Sequence, residues 1–400
     1  MKQNNNFYIF GDPIQNAVDQ MQNCMKSASF GALMADHHQG YSLPIGGVIA
    51  YENKISPSSV GWDIACGNKA VKLDIKASEI EGSMETIMDD IFSTISFGVG
   101  RKNNEKVDHC LFESTTWDIV EKWDKNLKDL ARSQLGTVGS GNHYVDIFKD
   151  ENDDVWIGVH FGSRGLGHKI ASHYVSAGGG SDGIDAEPVV LDYDSNLGLE
   201  YFLCMNLAGE YAYAGRNWVC DRVAKILGGN IVQEVHNHHN FAWKESHFGK
   251  NLLVVRKGAT PAFPDQLGFV GGSMGENSVI LKGVESENSK LALYSTVHGA
   301  GRVLSRTQAA GRKKWKRVQE GQPKQLVTVK EGCVSRQMMN DWVQKANVVL
   351  RGAGEDESPH CYKRLNEVLS HQGETIQIVN TLKPMGVAMA GANEHDPYKD

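Results

Sequence analysis

Apolar residues gather in short runs that stop at glycine or at polar residues. GGVIAY (46–51), VWIGVHF (155–161), NLLVVRKG (251–258) and SVILKG (278–283) are rich in Val and Ile. Their length and β-branched content predict buried strands. Apolar positions three and four apart predict helices over METIMDDIFSTI (84–95), WDIVEKWDKNLKDLARSQL (117–135) and LGLEYFLCMNLAGEYAYAGRNWVCDRVAKIL (197–227). Strands and helices do not alternate strictly, which argues against a doubly wound parallel sheet and for an α+β fold. No low-complexity linker and no 20–50-residue period interrupts the chain, so residues 1–400 are expected to form one domain.

Composition narrows the classes without choosing one. Of 400 residues, 40% are hydrophobic and 22% charged, enough to bury a large core. No run approaches the ~18 apolar residues of a membrane span. The opening MKQNNNFYIFGDP is too short and polar for a signal peptide. Seven cysteines (24, 66, 110, 204, 220, 333, 361) form no CxxC pair and no even set. A reducing, cytoplasmic setting without membrane association is expected. The formal charge of −7 excludes a generic nucleic-acid coat, so such a partner would need a local basic patch. GRKKWKR (311–317), following Arg302 and Arg306, offers one: five basic residues around a tryptophan. It could grip a nucleic-acid backbone and stack a base, or be a solvated helix face.

The chemistry concentrates in glycine-rich loops, most of which carry histidine: GTVGSGNH (136–143), VHFGSRGLGH (159–168), HNHHNF (236–241), GGSMG (271–275) and VHGAGR (297–302). SVGWDIACG (59–67) places Asp63 and Cys66 three apart, so both heads can share one turn. Asp63, Cys66, His143, His160 and His239 supply a carboxylate, a thiol and imidazoles, a set suited to Zn²⁺, Mn²⁺ or Fe²⁺. Within HNHHNF, an extended chain would put His236 and His238 on one face and His239 on the other, and composition does not choose among them. GSRGLGHK lacks the Lys-Ser/Thr ending of a Walker loop, and GTVGSGNH has the wrong glycine order for a dinucleotide fingerprint. A backbone nest for an anion is the remaining phosphate reading. In VHGAGR, His298 is uncrowded and precedes Arg302, which suits a histidine nucleophile toward phosphorus beside a phosphate clamp.

Taken together, DHHQGYSLPIGG, VGWDIACG, GTVGSGNHYVDI, VHFGSRGLGH, HHNFAWKESHFG, RKGATPA, GGSMG and HGAGRVLSR resemble, in order, the RtcB family of RNA-splicing ligases. The likeness runs from 36 to 306 and, more weakly, to TLKPMGVAMAG (381–391). It implies a family-specific α+β domain around a central metal and nucleotide cleft. It implies two Mn²⁺ held by Asp63, Cys66, His143, His160 and His239, the last preferred over His238 on resemblance alone. It implies that His298 is guanylylated by GTP. Contacts to the nucleotide are implied for Asn142, His143, Asp146, His239, Asn240, Gly271, Gly272, Ser273, Met274, Ser278, His298, Gly299, Ala300 and Gly301. Arg216 and Arg302 are implied to touch RNA. The substrates would be RNA ends with a 2′,3′-cyclic phosphate or 3′-phosphate and a 5′-hydroxyl, with an activating helper protein among the admissible partners. A cyclic-phosphate hydrolase or an RNA-end-binding protein is the alternative. Asp146 stands where the family has glutamate and Ala390 where it has lysine, both tied to guanine recognition, so relaxed base preference is expected, with Lys383 the candidate replacement donor.

Overall fold

The computed structural model describes residues 1–4, 7–184, 186–317, 323, 325–392 and 394. The side chains of Lys313 and Trp315 lie outside the described residues, and with them the expected base stacking by Trp315. The four apolar runs are strands, at Ile45–Tyr51, Asp154–Phe161, Lys250–Lys257 and Ser278–Gly283. Two sheets carry the architecture. One orders Lys2–Asn4, Phe7–Ile9, Phe30–His38, Ile45–Tyr51, Lys250–Lys257 and Asn240–His247. The other orders Ile231–His238, Gly67–Lys76, Asp154–Phe161, Tyr144–Lys149, Ile376–Gly391, Ser278–Gly283 and Leu267–Val270, each antiparallel to the next. Val349–Ala353 pairs parallel to Ile376–Gly391. With helices packed on these mixed sheets the fold is α+β.

The longest helix, Asn196–Leu227, matches the periodicity closely. Ser195 caps it through its hydroxyl, which accepts from Gly198 N–H at 3.0 Å, and Gly228 ends it in the left-handed region at φ 77°. Its buried stripe, including Tyr201, Met205 and Tyr211, joins a core with Trp117, Ile170 and Tyr174. The helix expected over 117–135 is two, Trp117–Glu121 and Leu127–Gln134. Between them the Asp124 carboxylate accepts from Asn126 N–H at 3.0 Å, a local bond that competes with helix continuation. Trp123 turns to stack on His173 at 4.2 Å. The second half of VHFGSRGLGH is not loop: Arg164–Ala177 is a helix, and His168 lies on it.

Candidate active site

Strand register brings the donor residues together. Gly67 faces His238 on one side and Phe161 on the other, while His160 lies between Asn68 and Tyr144. Cys66 therefore precedes its strand, His143 precedes Tyr144, His160 nears the end of its strand and His239 follows His238, all at one edge. Adjacent strands lie about 4.8 Å apart, and the rings repeat that spacing. His143 and His160 are 5.5 Å apart between centroids, His160 and His239 5.0 Å, and His239 and His298 4.9 Å. His239 is the one residue between Ile231–His238 of one sheet and Asn240–His247 of the other.

Asp63 and Cys66 do share one turn. Cys66 N–H donates to Asp63 O at 3.0 Å, and Ala65 between them takes φ 59°, rare for a residue with a Cβ. That strained turn is pinned from three sides. Ala65 N–H donates to Asn240 O (2.7 Å), His239 N–H donates to Cys66 O (2.8 Å), and the Arg216 guanidinium donates to the carbonyls of Ala65 (3.0 Å) and Phe161 (2.5 Å). Arg216 is fully buried, and burial pulls its pKa down to about 10. It also bonds His236 (2.8 Å) and His238 (2.9 Å), the two histidines expected to share a face. All of its described hydrogen bonds are internal, and they hold the Cys66 turn. Gly162 leaves room for the carboxylate, since a Cβ there would stand 2.2 Å from Asp63 Oδ1.

The donor atoms meet closely. Cys66 Sγ lies 3.2 Å from His160 Nε2 and 3.6 Å from His143 Nε2, and His143 Nε2 lies 3.1 Å from Asp63 Oδ2. Ligands bonded at 2.0–2.3 Å to one tetrahedral or octahedral ion stand about 3 to 3.7 Å apart, so the spacing fits a shared metal. Cys66, His143 and His160 offer ligand atoms all within 4.8 Å of one another. Val138 O accepts from His143 Nδ1 at 3.0 Å, turning Nε2 toward the thiol in the manner of an oriented ligand. Burial pulls His160 and His239 well below the ordinary imidazole range, leaving both neutral, the form a metal needs. The Asp63 carboxyl, which burial would raise, is held below its usual range by His143. Burial and the Asp63 charge push the Cys66 thiol up, so coordination would have to deprotonate it. The buried Nδ1 of His239 has no protein partner.

His298 completes the row. Its Nδ1 lies 2.6 Å from Asp36 Oδ2, and the same oxygen accepts from the backbone N–H of His298 (3.0 Å) and Gly299 (3.3 Å). Asp36 is fully buried; burial would raise its carboxyl, but the His298 interaction holds it below the usual range. With Nδ1 committed, Nε2 carries the free lone pair. Asn68 fixes the loop by donating to His298 O (3.2 Å) and Phe269 O (3.0 Å). At φ 78°, Gly301 has no room for a side chain, because a Cβ would stand 2.2 Å from Asp36 O. Neither Asp36 nor Asn68 was singled out from sequence. The DHH of 36–38 was a usable signal, a carboxylate beside two histidines.

A cavity of about 240 Å³ opens over this row. Asp63, Cys66, His160, His239 and His298 line it, as do Asn142, Asp146, Asn240, Gly271, Gly272, Ser273, Met274, Gly299, Ala300, Gly301 and Arg302. His143 sits behind Cys66, and Ser278 stands outside the lining, its hydroxyl accepting from Gly272 N–H at 3.0 Å. Arg302 reaches the wall already engaged with Glu357 (3.3 Å), Tyr362 (2.8 Å) and Asp356 O (2.7 Å). Asp146 is buried against cross-strand Val387; its Oδ1 has no partner, and burial pushes its carboxyl well above the usual range. Ala390 lines an adjoining space of about 20 Å³ with Ser140, Gly141, Arg306 and Glu357. Lys383 does not replace the lysine: it is exposed, opposite Lys149, four residues (about 13 Å) before Val387 on the same strand.

The profile of the family described as "tRNA-splicing ligase RtcB" matches residues 17–390. The chain belongs to the RtcB family. It is 30% identical over 386 residues to the RNA-splicing ligase RtcB of Escherichia coli (strain K12), covering 88% of each protein. It is 29% identical to the tRNA-splicing ligase RtcB of Thermococcus kodakarensis, over 90% of this chain and 87% of that one. The same identity relates it to the tRNA-splicing ligase RtcB of Methanococcus maripaludis, over 95% and 92%. The aligned lengths exceed this chain's own in the archaeal pairs (444 and 463 residues), so the RtcB relatives there carry insertions or gaps relative to it. No helix among the described residues is long and apolar enough to cross a membrane.

Proposed function

We propose that this RtcB-family protein is a metal-dependent RNA ligase that joins a 2′,3′-cyclic phosphate or 3′-phosphate end to a 5′-hydroxyl end through a His298–GMP intermediate. The observation that carries the reading is the Asp36–His298 pair (2.6 Å) set 4.9 Å, ring to ring, from His239 at the end of the donor row. Asp36 holds the Nδ1 proton, so Nε2 attacks the α-phosphorus of GTP, an N–P bond forms and pyrophosphate leaves. After the cyclic phosphate is opened, a 3′-phosphate oxygen takes GMP from His298, which regains its free Nε2. The 5′-hydroxyl then attacks the activated 3′-phosphate, and GMP departs. Asp63, Cys66, His143, His160 and His239 would hold two Mn²⁺, which when bound neutralise charge on the reacting phosphate oxygens. Asn142, Asn240, Ser273, Met274 and the backbone of Gly271, Gly272 and Gly299–Gly301 would cradle the nucleotide, with Ser278 bracing Gly272. Because both sheets contribute to one cavity, residues 1–400 are proposed to work as a single domain.

The test is incubation with Mn²⁺ and α-labelled GTP followed by denaturing electrophoresis. Acid-labile label on the protein is expected, and His298→Ala should abolish it while leaving the fold intact. A hydrolase or end-binding protein would retain no label. Label of wild-type strength on His298→Ala would remove the mechanism.

A further inference from the structure

The basic GRKKWKR stretch is neither helix nor loop. Arg312–Lys316 pairs antiparallel with Gln325–Lys330 in a two-stranded hairpin that joins neither large sheet. Arg312, Lys314, Lys316, Arg317 and Lys330 are exposed, and among the described residues no carboxylate pairs with them. Five basic residues in seven, without an acid, is a strong local excess in a chain of charge −7. Lys314 and Lys316, opposite Val327 and Gln325, share one face of the ladder.

The root of the hairpin is fastened beside the cavity. Cys333 N–H donates to Gln308 O (2.9 Å) and Val334 N–H to Ala309 O (3.0 Å), tying the far strand to the helix Arg306–Ala310. That helix starts at Arg306, which pairs with Glu357 (3.3 Å), and Glu357 pairs with the cavity-lining Arg302 (3.3 Å). A five-residue helix spans about 7.5 Å, so the hairpin begins on the order of 10 Å from the cavity wall.

We propose that this hairpin is a docking arm for the phosphate backbone of single-stranded RNA flanking the end held in the cavity, an assignment that rests on the ligase reading above. Its role is sequence-independent grip: exposed ammonium and guanidinium groups displace counterions from phosphates outside the reacting ends. The side chains of Lys313 and Trp315 are not needed for it.

The test is anisotropy titration of a labelled single-stranded RNA of about 20 nucleotides bearing a 3′-phosphate, over roughly 50–200 mM salt. Wild type is compared with Lys314→Gln/Lys316→Gln and with the exposed control Lys122→Gln/Lys125→Gln, which removes the same charge elsewhere. The hairpin variant is expected to bind about tenfold more weakly, with the slope of log affinity against log salt reduced by about 1.4. Nucleotide labelling of His298, which needs no RNA, should keep its wild-type rate and report an intact fold. Equal losses in both variants, or none in either, overturn the proposal and leave the lysines as protection against edge-to-edge strand pairing. Wild type that labels but does not bind RNA also overturns the arm. Wild type that binds RNA without labelling overturns the nucleotide chemistry instead, and the variant comparison still decides the arm.

Discussion

The donor row and the wall beside it obey different rules. In the row, three positions are braced by named contacts: Val138 O turns His143, Asp36 turns His298, and Arg216 anchors the turn that carries Cys66, while His239 Nδ1 stays without a protein partner. On the wall formed by Asp146, Val387 and Met389, the Asp146 Oδ1 and the neighbouring Tyr144 hydroxyl have no protein partner. Fixed chemistry demands atoms held to fractions of an ångström, which takes second contacts. Polar atoms left open on a cavity wall are available to a ligand. Of the two positions expected to depart from the RtcB pattern, Asp146 lies on this wall and Ala390 lines the adjoining space.

Breaking the supported side should cost most. Asp36→Asn keeps the shape but offers Nδ1 the wrong hydrogen-bonding group, and nucleotide labelling of His298 should fall by about 10²–10⁴-fold in single-turnover assays. A loss under tenfold would mean that Nε2 is presented by other contacts. Cys66→Ser should weaken metal binding by about a hundredfold, measured by calorimetry, because a neutral hydroxyl replaces a thiolate. Mn²⁺ should support labelling better than Mg²⁺, which disfavours sulfur. Unchanged affinity in Cys66→Ser would take the thiol out of the coordination sphere.

The open wall should show a smaller effect. A missing charged hydrogen bond is worth about 1.5–3 kcal/mol, roughly ten- to a hundred-fold in discrimination. ATP is therefore expected to label His298 within about a hundredfold of GTP in four-way competition, and Ala390→Lys should widen the gap. A preference of more than about four orders of magnitude would point to another guanine reader. Arg306, which lines the space beside Ala390, is the first to test. Back on the supported side, Arg216→Lys should leave the labelling chemistry in place and cost stability instead, about 2 kcal/mol in denaturant unfolding, because an ammonium cannot serve the Ala65 and Phe161 carbonyls and both histidines together. A drop in RNA affinity at unchanged stability would instead support the expected RNA contact of Arg216.

The sequence by itself determined the elements and the chemical inventory. Runs such as SVILKG and the stripe of Asn196–Leu227 carry their own periodicity, and Asp63 with Cys66 reach one turn through local geometry. The alternation of HNHH correctly separated His236 and His238 from His239. Only the tertiary structure decided which histidine enters the cavity, because that depends on strand pairing and on the buried Arg216 that claims the other two. It alone brought Asp36 to His298 across 262 residues, turned a basic run into a hairpin, and placed Arg302 in the embrace of Glu357. Local pattern records what a segment buries; partners distant in the chain meet only where sheet register and packing put them, and no period in the sequence encodes that distance.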